Sequence, residues 1–88
     1  MSKHDNLLAT LLRGASDANI AFADLRQLLI RLGFDERTRG SHHLFRKTGI
    51  EEKSNLQREG RNAKPYQVRQ VRHVIVKYGL GGNDDEQV

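Results

Sequence analysis

The sequence predicts a small α+β domain in which amphipathic helices flank a run of short strands. Three observations carry this expectation. Apolar residues recur at helical spacing near both ends, the period shortens to alternation in the middle, and glycines mark each change. At 88 residues, 36% hydrophobic and 30% charged, the chain has the composition of one compact globular unit.

The elements follow in order. Leu7, Leu8, Leu11 and Leu12 form one stripe over residues 5–13, ending at Arg13-Gly14, and Ser16-Asp17 opens a connector. Leu25, Leu28, Leu29 and Leu32 obey the i, i+3, i+4, i+7 rule over 23–32, with Arg26, Gln27 and Arg31 turned away. Gly33 suits the left-handed position that closes such a helix, and Asp24 favours its first turn electrostatically. Residues 34–39 read as a strand, Gly40 as a turn and 42–47 as a second strand. Thr48-Gly49 marks another turn, and a weaker strand is expected over 54–57. Residues 58–64 are polar and rich in turn formers, which predicts a loop. Pro65 fits a first helical turn, where its missing N–H costs nothing. Val68, Val71, Ile75 and Tyr78 then line a closing helix that Gly79 ends. The domain expected is 1–80, its core 20–80 and its extension 1–19, with 81–88 reading as a disordered acidic tail.

Charge narrows the function classes. Fifteen Lys and Arg face eleven Asp and Glu, for a net charge of +4. Three of the acids, Asp84, Asp85 and Glu86, lie in the tail, so residues 1–80 hold 15 basic against 8 acidic groups. That excess favours a polyanionic partner such as RNA, DNA or an acidic protein, although a basic solvated surface has the same composition. Absence of cysteine excludes disulfides, thiolate metal sites and a cysteine nucleophile. The longest apolar run, Leu28-Leu29-Ile30, is too short for a bilayer, and Met1-Ser2-Lys3-His4-Asp5 lacks the build of a signal peptide. The expected compartment is cytoplasmic, with no membrane partner.

One string stands out. Asp24-Leu25, Leu28-Leu29, Leu32-Gly33-Phe34 and then Gly40-Ser41-His42-His43-Leu44-Phe45 resemble the N-terminal half of the HicA toxins. Lys64-Pro65-Tyr66-Gln67-Val68-Arg69-Gln70-Val71-Arg72 is similar to the start of the closing helix in one branch of that family. The resemblance spans about residues 20–80. It implies a double-stranded-RNA-binding-domain-like fold, α-β-β-β-α, with both helices on one face of a three-stranded antiparallel sheet, to which this chain adds a short N-terminal helix. It further implies a type II toxin that cleaves mRNA without a metal or other cofactor, is neutralised by a HicB-like antitoxin, and uses the second histidine, His43, as its catalytic residue. Many members carry Val-x-Val-Pro in the third strand, where this chain has Ser54-Asn55-Leu56-Gln57.

Histidine suits the chemistry. RNA is cut when its own 2′-OH attacks the adjacent phosphate, which requires a proton acceptor, charge compensation and help for the departing 5′-oxygen. An imidazole titrates near working pH and can serve the first or last need. Arg37, Arg39 and Lys47 adjoin the turn and are candidates for holding phosphate or supporting the transition state. Ser41, His42 and Lys64 complete the expected RNA-binding set. Alternation puts His42 and His43 on opposite faces of their strand, His43 with Phe45 and His42 with Leu44 and Arg46, without revealing which face the helices cover. A histidine merely packed beside Phe45 is the plain alternative.

Other candidates carry less. His4 and His73 show no metal-ligand spacing. Arg69, Arg72 and Lys77 form either an RNA rail or a solvated helix face. Tyr66 can stack on a base or pack over the sheet edge. The rivals to a ribonuclease are a non-catalytic RNA-binding module and a domain that meets only an acidic protein.

Overall fold

A computed structural model describes residues 3–81, with side chains from Asp5 to Gly81. The expectations for the acidic tail and for His4 therefore lie outside the described residues or side chains. Gly81 itself belongs to the closing turn, where an added Cβ would meet Leu12 at 3.2 Å and Ile75 at 3.3 Å.

The order is α1 (Lys3–Arg13), a single 3-10 turn (Asp17–Asn19), α2 (Phe22–Arg31), β1 (Asp35–Arg39), β2 (His42–Arg46), β3 (Ser54–Leu56), β4 (Arg58–Glu59), β5 (Asn62–Ala63) and α3 (Pro65–Lys77). The first three strands form an antiparallel sheet in the order β1-β2-β3. This is a small α+β domain with three α-helices. Among the described residues no helix is long and apolar enough to cross a membrane.

The polar stretch 58–64 is not a loop. Arg58 pairs with Ala63 and Glu59 with Asn62 in a second, two-stranded ribbon. Its turn is Gly60-Arg61, with Gly60 at φ +66°. The main hairpin uses the same device: Arg39 pairs with His42 across Gly40-Ser41, with Gly40 at φ +57°. A glycine in the left-handed region at the first of two turn residues matches the right-handed twist of the flanking strands. The ribbon is anchored elsewhere in the chain. The Phe22 amide donates to Arg61 O at 3.0 Å, the Ala63 amide donates to Ile20 O at 2.9 Å, and Ala21 bridges to Asn62.

One core lies between helices and sheet. Phe22, Leu25, Leu28 and Leu29 from α2 and Val68, Val71, Val74 and Ile75 from α3 are buried with Phe45 and Leu56 from the sheet. Leu11 brings α1 onto the same cluster, so the N-terminal extension is part of the core. Ser54 is buried on the same side, whereas His42 and Arg46 are exposed and Leu44 is half-buried. The helices thus cover the Phe45 face, and the opposite face is open. Gln67 joins α3 to the sheet: its Oε1 accepts from the Gln57 amide at 2.6 Å although the residue is buried.

Two ion-paired clusters fix the periphery. Arg72 donates to both carboxylate oxygens of Asp17, at 2.7 and 3.1 Å, and to Leu11 O at 3.3 Å. Lys77 and the Tyr78 hydroxyl both donate to Glu52, at 2.7 and 2.6 Å, tying the end of α3 to the segment before β3. Lys77 is the leading cause that holds the Glu52 carboxyl down at about 2, with Tyr78 second. Arg72 and Lys77 are therefore held in ion pairs. Of the three α3 cations read as either an RNA rail or a solvated face, Arg69 alone is outside one among the described residues.

Candidate active site

The register of the main hairpin builds the site. Because its loop has two residues, Thr38 lies opposite His43 and Glu36 opposite Phe45. Side chains two apart on a strand share a face, so Glu36 is the diagonal neighbour of His43 on the helix-covered side, within reach of a long side chain. The two meet. His43 Nδ1 lies 2.8 Å from Glu36 Oε2.

Glu36 is held from its other side by α2. Arg26 Nε contacts both carboxylate oxygens at 2.9 Å, and its Nη2 lies 2.7 Å from Oε1. The Arg26 hydrogen bonds are the main cause that lowers the Glu36 pKa. Burial opposes them, and the His43 bond adds a further lowering. An ionised carboxylate can only accept, so the bond requires a proton on Nδ1 and leaves Nε2 as the acceptor in the neutral ring. Among the described residues, Nε2 has no hydrogen-bond partner.

The ring is fixed in plane and in depth. Phe22 meets it edge to face, with centroids 4.8 Å apart and planes at 68°. The Arg58 guanidinium stacks on the same Phe22 ring, 4.4 Å from its centroid. The His43 side chain is 22% exposed and Glu36 14%, so the imidazole lies at the rim of the core and is not sealed within it. What results is an oriented imidazole with one free nitrogen, backed by a carboxylate, on a Phe22 ring that also carries the Arg58 guanidinium. Such a group can take a proton from a hydroxyl presented to Nε2 and return it.

No family model matches the chain, and no curated protein or solved structure matches it significantly.

The expected site residues divide into separate groups. Arg37 and Arg39 point to the open face, paired with Leu44 and His42, and so do not share the face of His43. Lys47 lies beside Gly33 and, with Arg37 and Arg39, lines a groove of about 620 Å³ on that open side. His42 is also on the open face, with Asn55 Nδ2 and Gln57 Nε2 each 3.5 Å from its ring nitrogens. Ser41 is exposed in the turn. Lys64 caps α3, its amide donating to Gln57 O at 3.3 Å, one residue beyond the partner of His43 on β3. Tyr66 is 48% exposed and lines a second groove with Arg69, Gln70 and His73.

Sequence reasoning missed Glu36, Arg26, Phe22 and Arg58. For Glu36 a signal existed: a two-residue turn fixes the register, which in turn sets it diagonal to His43. Arg58 carried none, since it depends on a ribbon that the polar composition hid.

Proposed function

We propose that this chain is a HicA-type ribonuclease of double-stranded-RNA-binding-domain-like fold, cleaving RNA with His43 as its proton-transferring group. The observation that carries the reading is the Glu36–His43 pair: a carboxylate on Nδ1, at 2.8 Å, and Nε2 open at the rim. A histidine used only for packing needs no ionised partner aimed at one nitrogen while the other is left free.

The step follows from the geometry. Nε2 of His43 accepts the 2′-OH proton as the 2′-oxygen bonds to phosphorus. The bond from phosphorus to the 5′-oxygen breaks, that oxygen takes a proton from water as it leaves, and the His43 imidazolium returns its proton to solvent. The products are a 2′,3′-cyclic phosphate and a 5′-hydroxyl. Glu36 keeps the ring in the right tautomer and stabilises the imidazolium formed. Arg58, on the Phe22 ring that the imidazole also contacts, is the cation proposed to offset the extra negative charge on the phosphorane, a task suited to a planar donor array. No step needs a metal.

Two further expectations belong to the proposal. Uncontrolled mRNA cleavage is toxic, so a HicB-like antitoxin that covers His43 is the expected partner. The cytoplasm, where mRNA is found, is the expected compartment.

The test is cleavage of labelled mRNA by purified protein in EDTA. The wild-type chain is expected to give fragments ending in cyclic phosphate. His43→Ala is expected to lower the rate about 10²–10⁴-fold, the usual worth of one positioned proton-transfer group. Wild-type protein that shifts RNA on a gel but leaves it intact would establish the non-catalytic binding module instead.

A further inference from the structure

The open face of the sheet is strongly unbalanced in charge. In register, Asp35 lies opposite Arg46, Arg37 opposite Leu44 and opposite that Asn55, and Arg39 opposite His42. Lys47 and Lys53 flank this grid along the same groove, which Ile50 and Thr48 also line. Five cations therefore share this groove with one exposed carboxylate, Asp35, and with half-buried Glu36, whose charge is already met by Arg26 and His43. Among the described residues none of Arg37, Arg39, Arg46, Lys47 and Lys53 has a carboxylate within ion-pair distance. Three cations elsewhere are ion-paired: Arg26 with Glu36, Arg72 with Asp17 and Lys77 with Glu52.

We infer that this face is a second RNA-binding surface, on the side of the sheet away from His43, which holds the backbone of single-stranded RNA flanking the cleaved bond. The inference rests on the ribonuclease reading for its substrate and adds the path that substrate takes. Three features favour RNA over a protein partner. Unpaired guanidinium and ammonium groups dominate the surface, as at nucleic-acid interfaces. Its apolar content is limited to half-buried Leu44 and Ile50, without the aromatic centre of a protein–protein interface. Arg37 and Arg39 stand two apart on one strand, about 6.6 Å along it, and present a row of planar donors able both to bind phosphate and to underlie a base. A single strand is favoured because its bases and phosphates can lie flat on a sheet, as a duplex cannot.

The experiment measures anisotropy of a short labelled single-stranded RNA on the non-cleaving His43→Ala background, across a salt series. Each phosphate contact on a single strand contributes a slope of about 0.7 in log affinity against log salt. Substituting Arg37→Gln and Arg39→Gln together is expected to reduce the slope by about 1.4. Relative to 1 M salt, that amounts to about 25-fold weaker binding at 0.1 M. The control pair Arg13→Gln and Arg31→Gln removes the same charge from α1 and α2, and is expected to change the slope far less. Equal losses from both pairs would show a general charge effect and overturn the inference. So would displacement of the RNA by a poly-glutamate peptide at lower charge concentration than by unlabelled RNA, which would give the face to an acidic protein. Wild-type protein that cleaves RNA while the Arg37/Arg39 pair leaves the slope unchanged would sink this surface and spare the nuclease. Protein that binds RNA through this face but never cleaves it would do the reverse.

Discussion

Replacing Glu36 by glutamine tests whether His43 is an oriented catalyst or a packed side chain. The change keeps the shape of the side chain and removes its charge. A hydrogen bond to an ionised group contributes about 1.5–3 kcal/mol, and part of that bond now selects the His43 tautomer. At about 1.4 kcal/mol per tenfold, losing it corresponds to a rate loss of about 10- to 150-fold. The cost to folding is smaller. Arg26 is 38% exposed, so its pair with Glu36 is screened and stabilises by about 1 kcal/mol. A chain of this size has roughly 4–13 kcal/mol to lose. Single-turnover cleavage of a labelled RNA, run beside a thermal melt, separates the two effects. A folded Glu36→Gln protein that cuts at the wild-type rate would refute the orienting role. A loss as deep as that of His43→Ala would make Glu36 more than a positioning residue.

Other outcomes follow from the same geometry. Arg58→Ala removes the cation beside the ring and is expected to slow cleavage about tenfold or more, with little change in melting temperature because Arg58 is exposed; an unchanged rate would remove it from the site. Phe45→Ala, at a fully buried position, is expected to cost about 3–5 kcal/mol in urea unfolding, and a loss below 1 kcal/mol would contradict the core described. Arg72→Met leaves Asp17 without its bidentate partner and is expected to destabilise by about 1–3 kcal/mol while leaving the salt slope of RNA binding intact; a reduced slope would restore Arg72 to an RNA rail. Glu52 is held near 2 against an ordinary 4.5, so its contribution is present above pH 4.5 and is lost as pH falls toward 2. Lys77→Met is expected to flatten that stretch of the acid melting curve, and an unaltered curve would show the pair to be inert.

Much of the architecture could be read from the residues, and the physical reasons differ by element. α2 and α3 were legible because their leucines and valines keep one stripe through three turns, and the main hairpin because Gly40 marks a turn between two strand-like runs. The covered face was not. Leu44 and Phe45 are adjacent and both apolar, so alternation alone gave no preference, and Arg37 and Arg39 were grouped with a histidine that lies across the sheet from them. The β4–β5 ribbon escaped because Arg58, Glu59 and Asn62 show no apolar alternation; its order comes from buried Ala63 and from backbone bonds to the approach to α2. Partners as distant as Arg72 and Asp17 carry no local trace at all.

That ribbon also reaches the aromatic ring on which the imidazole packs. It pairs through only two residue pairs, leans on two backbone bonds near Phe22, and carries Arg58 above the aromatic ring that braces His43. Opening it would break both bonds and draw Ala63, which is fully buried, out of the core, so the ribbon is fastened to the rest of the fold. Amide exchange at Phe22 and Ala63 counts those openings, and a bound nucleotide pressed against Arg58 is expected to slow both together.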